Sequence, residues 1–197
     1  MTPKQIERIK NKIGKIKREL AADKKHWGGF YHDGRGLRYL PPELYLKLND
    51  YSGALRYFNW FDKNFPEDSG FPIFLFEWTI TLFKKKKIHL AEKKALETFY
   101  SNNYLIDIFL GNDILDFSKS ENSNWECSSL VENLKYSKSQ EELNDFAKWI
   151  ENFTKTETFY SFANTLIKIQ SKLITEPVGK KRSELINKKY KLLENLK

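Results

Sequence analysis

Apolar residues recur along most of this chain at intervals of three and four, the period of a helix buried on one side. Ile6, Ile9, Ile13, Ile16 and Leu20 form one such stripe and predict a helix from about Pro3 to Asp23. Pro3 falls in its first turn, where a missing N–H does no harm. Gly14 weakens it by up to about 1 kcal/mol. The stripe is also a two-heptad seam that offers a route to a homo-oligomer, but two heptads are short for a free coiled coil, and packing onto the protein's own body is favoured.

After a break, the pattern predicts a helix from about Pro41 to Leu48, a turn at Asn49 and Asp50, and a helix from Tyr51 to Asn64 that Pro66 ends. Phe71–Lys86 and Ile88–Tyr100 read as a second hairpin. IFLFEWTITLF taken alone suits a buried strand, but its helical neighbours and the face formed by Leu90, Ala91, Ala95 and Phe99 favour helix. Asn103–Leu110 is another helix, ending at Gly111. Residues 118–123 are polar and read as a loop, and Trp125–Leu134 as a short helix. Ser139 and Glu142 form a capping-box pattern for a helix to about Phe153. Thr156–Leu173 follows, then a break at Pro177 and Gly179, then a last basic helix, Arg182–Leu196. The expected fold is all-α, with roughly eight or nine helices in one domain over residues 1–197.

Within residues 40–110, Ala54, Phe58 and Pro66 stand at the small, aromatic and proline positions of a repeat's second helix, and Tyr45 at the aromatic position of its first. This stretch resembles the tetratricopeptide repeat. Phe61, Pro42 and Asn49 depart from the pattern. Ala91 follows Ala54 by 37 residues, slightly more than the family's repeat, so the second copy carries a small insertion. The resemblance implies a right-handed solenoid of helical hairpins with a concave groove that binds a peptide or a partner helix. It places Glu43, Leu46 and Lys47 on the groove side of the first hairpin, Glu77, Ile80 and Thr81 on that of the second, and Arg38 and Tyr39 at the rim.

The break between the first two helices, HWGGFYHDGRGLRYLPP, is the most chemically suggestive loop. Its glycine amides with Arg35 and Arg38 suit a phosphate or carboxylate. His26, His32 and Asp33 suit part of a metal site. Trp27, Phe30, Tyr31 and Tyr39 suit a recognition surface. A plainer reading is a helix stop followed by turns whose aromatics cap the core. No strand–turn–helix context frames the glycines as a dinucleotide or phosphate-binding fold requires.

Composition narrows the field. Aromatic residues make up 15% of the chain against 9 Gly and 6 Pro, enough apolar bulk for a packed core. Three histidines and one cysteine leave little for nucleophilic or metal chemistry, and no nucleophile-elbow, zinc-protease or nucleotide-loop motif occurs. A non-enzymatic protein without a cofactor is expected. Cys127 reads as a small buried hydrophobe in a reducing compartment. The most apolar run, Phe71–Phe83, is too short to span a bilayer and contains Glu77, and the N-terminus lacks a signal-peptide core, so a cytoplasmic protein is expected. The +8 net charge is concentrated at the ends: residues 1–25 carry nine Lys/Arg against three acids, and residues 176–197 seven against three. Such ends solvate helix faces or grip nucleic acid. Lys84–Lys87 likewise suits a solvated helix end. The leading expectation is a scaffold that binds another protein or peptide; the alternative is nucleic-acid binding through the basic ends, with loop aromatics for stacking.

Overall fold

The computed structural model describes residues 1–114, 123–132 and 134–196. Among these residues there are nine α-helices and no strand. No helix among them is long and apolar enough to cross a membrane. Where a single domain is expected, the chain divides into two compact units, Met1–Lys87 and Ile88–Lys197. The second expected hairpin straddles that division, its first helix closing one unit and its second opening the other.

The first unit holds α1 (Pro3–His26), α2 (Pro41–Lys47), α3 (Tyr51–Asn64) and α4 (Pro72–Lys84). Helix α1 starts on a reciprocal capping box between Thr2 and Gln5, and its last turn carries Lys24, Lys25 and His26, positive charge where the helix dipole favours it. Ile13, Ile16 and Leu20 of its stripe are buried, which commits that part of the seam to the protein's own core. Helices α2 and α3 meet through a tight turn in which Asn49 takes a left-handed φ of 53° and Asp50 Oδ1 accepts from the Gly53 amide at 2.8 Å. Gly53 is required there: a Cβ would lie 2.6 Å from Tyr45 Cε1 and 2.3 Å from Asp50 Oδ2. Phe58, Phe61, Phe74 and Trp78 build the core between α3 and α4, with Phe58 stacked on Trp78 at 4.7 Å and Phe61 tilted on Phe74 at 4.6 Å.

Helix α4 is the apolar run whose sequence also suits a strand. It is buried on every side from Phe74 to Phe83, so no polar stripe marks its period. Thr79 and Thr81 tolerate this by donating their hydroxyls back to the carbonyls of Leu75 and Glu77, at 2.9 and 2.8 Å.

The second unit holds α5 (Ile88–Ser101), α6 (Leu105–Leu110), α7 (Asn144–Thr154), α8 (Glu157–Thr175) and α9 (Lys180–Glu194). Phe99 and Phe153 meet Phe159 at 5.1 and 5.5 Å, and Phe109 meets Phe146 at 5.4 Å. Buried Asn102 ties down the chain after α6: its Nδ2 donates to the carbonyls of Trp125 and Cys127 at 2.7 and 3.0 Å. Arg182 Nη1 closes the end of α8 by donating to the carbonyls of Leu173 and Glu176.

The structure corrects three local expectations. Where a helix is expected over Trp125–Leu134, the described residues form two short 3-10 turns, Asn124–Glu126 and Ser128–Val131, and the carbonyls of Trp125 and Cys127 accept from Asn102 instead of continuing a helical ladder. The Ser139–Glu142 capping box does not form; the Ser139 hydroxyl lies 2.6 Å from that of Ser137, and α7 begins at Asn144 behind a 3-10 turn. Cys127 is only partly buried, its Sγ 3.7 Å from the Ser123 carbonyl. Of the loop expected over 118–123, all but Ser123 lies outside the described residues.

Candidate functional site: the loop after the first helix

The glycine-rich segment separates into an inner part that is locked and an outer part that is bare. Asp23, in the last turns of α1, folds the loop back by accepting from the amides of His32 and Asp33 at 2.8 and 3.2 Å. Burial opposes the Asp23 charge, but these two amides outweigh it and hold the carboxyl below its usual range. Asp33 then caps the 3-10 turn Leu37–Tyr39 through the amides of Leu37 and Arg38, at 2.8 and 3.0 Å.

Arg38 is the hub of the inner part. Its Nη1 donates to the Asp33 carboxylate at 3.0 Å and to the Asp33 carbonyl at 3.1 Å, and its Nε to Asp68 at 2.7 Å. The Tyr39 hydroxyl accepts from Arg38 Nη2 at 3.2 Å and donates to Asp68 at 2.7 Å. Tyr57 of α3 donates to the Arg38 carbonyl at 2.8 Å. The guanidinium also lies 5.2 Å from the Phe65 ring centre. One cation shared by two carboxylates thus joins the loop after α1 to the loop between α3 and α4. The guanidinium expected to suit a phosphate or carboxylate ligand is held here by the chain's own carboxylates.

The two tyrosines set the behaviour at high pH. Burial first, then the hydrogen bond to Asp68 and that carboxylate's charge, push the Tyr39 hydroxyl up to about 12 from its ordinary 10. Burial likewise pushes Tyr57 up strongly. The fold therefore favours the protonated phenols, and the Tyr39 contribution is complete below pH 10 and declines as pH rises through 12. Urea midpoints taken between pH 9 and 12 are expected to fall more steeply for the wild type than for Tyr39→Phe. Equal slopes would show that Tyr39 titrates normally.

The outer part is a cluster of exposed rings. Trp27 is 49% exposed and Phe30 77%, while His26 and His32 are exposed and pack against Trp27 at 5.1 and 4.9 Å between ring centres. Gly28 and Gly29 carry the chain between the two large rings at φ of 63° and 103°, with open space around both. Lys25, next to His26 in sequence, and Arg35 are exposed; Arg35 reaches Glu19 at 3.9 Å, an exposed pair of little energetic weight. Tyr31 points inward, its ring 4.8 Å from that of Phe65 and 5.7 Å from Trp60, and so anchors the cluster to α3. Among the described residues no three His, Cys, Asp or Glu side chains converge as a metal site, and Asp33 is engaged by Arg38 and two amides.

The residues expected to line a groove are placed differently. Leu46, Glu77, Ile80 and Thr81 are buried, because α2 and α4 pack into the core of their unit rather than fronting solvent. Arg38 and Tyr39 belong to the inner lock. Glu43 and Lys47 reach the surface, paired to each other at 2.5 Å one helical turn apart. Asp23, Tyr57 and Asp68, which complete the lock, carry no sequence signal of their own beyond Asp68 standing between Pro66 and Gly70. No family model matches the chain, and no curated protein or solved structure matches it either.

Proposed function

We propose that this chain is a non-enzymatic protein-interaction module, and that its first unit docks a partner through the ring cluster at the end of α1. The observation that supports this is the pair Trp27 and Phe30, left in water by a unit that seals Phe58, Phe61, Phe74 and Phe76 completely. Each such ring contributes about 1.5–3 kcal/mol when a partner's pocket removes it from water. Tryptophan is also the side chain most often found to dominate a protein interface. Exposed Lys25, next to the cluster in sequence, favours a partner whose apolar pocket has an acidic rim. In this reading the helices beneath are degenerate tetratricopeptide-like hairpins acting as a rigid support, with the Arg38 lock fixing the loop on them, and Glu43 and Lys47 supply secondary contacts.

The same exposed rings beside basic side chains favour one other reading, single-stranded nucleic acid stacked on Trp27 and Phe30. A pull-down from nuclease-treated extract separates the two when the wild type is compared with Trp27→Ser/Phe30→Ser of unchanged circular dichroism. The proposal expects a protein retained by the wild type, reduced about tenfold by the variant, and bound directly with a shallow salt dependence when purified. Equal retention by both proteins would remove the ring cluster from the interface. Retention that vanishes with nuclease, together with a steep salt dependence of oligonucleotide binding, would establish the second reading.

A further inference from the structure

Helices α8 and α9 form a hairpin across the four-residue break at 176–179. Between them lies an open groove of about 360 Å³. Its floor is aliphatic, from Ile169 of α8 and Leu185 and Leu192 of α9. Its flanks are four lysines, Lys168 and Lys172 one turn apart on α8 and Lys188 and Lys191 on α9, all exposed. No carboxylate lines the groove, and none of the four lysines pairs with one among the described residues. By contrast Lys189, next in sequence, is buried against Glu126 at 3.0 Å and lies 5.5 Å from the centre of the Tyr100 ring. The hairpin thus neutralises its inward lysine and leaves the groove lysines without counter-charge.

We infer that this groove is a second docking surface, independent of the ring cluster in the first unit, and that its occupant is an acidic amphipathic helix of a partner protein. An apolar floor between two cationic rows is the complement of a helix with an apolar stripe edged by Asp and Glu. From Thr165 to Lys172 the floor runs roughly 10 Å, two helical turns, which fits apolar residues at i, i+3 and i+7. Nucleic acid would satisfy the lysines but leave the floor unfilled, since no ring lines the groove for a base to stack on. A bilayer surface suits a protruding apolar face flanked by lysines rather than a recess between two helices.

The test titrates the full chain into a fluorescein-labelled 15-residue helix with leucines at i, i+3 and i+7 and glutamates along both edges. The same peptide with its leucines scrambled, a 20-nucleotide single strand and phosphatidylserine vesicles are run beside it. The inference expects the amphipathic peptide to bind more tightly than all three. Lys168→Glu/Lys188→Glu, which leaves the groove with two charges of each sign, is expected to weaken it about tenfold. Lys172→Gln/Lys191→Gln, a milder pair of exposed substitutions, should weaken it severalfold and covers the case in which charge reversal disturbs the fold. Equal binding of the scrambled peptide, tighter binding of the oligonucleotide or vesicles, or no binding of any probe would each overturn the inference. None of these outcomes touches Trp27 or Phe30, so the two surfaces stand or fall separately.

Discussion

Arg38→Ala is expected to lower the stability of the first unit by about 3 kcal/mol, a large loss for a single side chain near the surface. The Asp33 side chain is 2% exposed and that of Asp68 15%, so removing the guanidinium leaves two little-exposed carboxylates without a cation, held only by neutral donors. The 21% exposure of Arg38 itself keeps the loss at the lower end of the range for broken buried pairs. Arg38→Lys should recover less than half, because an ammonium lacks the planar fork that meets Asp33 and Asp68 at once. Removing the charges together, as Arg38→Met/Asp33→Asn/Asp68→Asn, should lose less than Arg38→Ala alone. Urea titration followed by hydrogen exchange in peptides from residues 40–84 assigns the effect to the first unit. A loss below about 0.5 kcal/mol would place Arg38 among ordinary surface charges.

Phe58→Ala is expected to cost about 3–5 kcal/mol, more than the loss of Arg38. Phe58 is fully buried, lies parallel to Trp78 at 11° and 4.7 Å, and meets Phe74 edge-on at 5.1 Å. Alanine would leave a cavity walled by rings whose positions the helices fix, so little collapse can refill it. Phe58→Leu keeps most of the volume and should lose markedly less. Near-ultraviolet circular dichroism reports the ring pair directly, and its signal should weaken in Phe58→Leu even where the fold is retained. A cost near 1 kcal/mol for Phe58→Ala would mean that the α3–α4 interface repacks freely.

What the sequence reveals and what it hides follow from the range of the interactions. The Ile13, Ile16 and Leu20 stripe, the turn at Asn49 and Asp50, and the Pro66 stop are local signals, and each appears where its spacing places it. Helix α4 is legible as an element but not by face, since burial on all sides removes the polar stripe that would orient it. Glu77, Ile80 and Thr81 are groove residues only by the tetratricopeptide resemblance, which assigns positions by spacing and not by packing; in the fold they are buried. The Arg38 lock is the least legible feature. Asp68 lies 30 residues from Arg38, and no period or motif links them. The ring cluster lies between these extremes: its aromatics are plain in the sequence, but only the packing of Tyr31 inward and Phe30 outward separates the anchor from the exposed surface.

The most direct measurement of the central claim is site-specific photo-crosslinking from Phe30, replaced by p-benzoylphenylalanine in the full chain and exposed to nuclease-treated native extract. The ring-cluster account predicts a discrete protein adduct that is lost when Trp27→Ser is added and that persists when Lys168→Glu/Lys188→Glu is added instead. No adduct, or one that requires nucleic acid to be left intact, would contradict it.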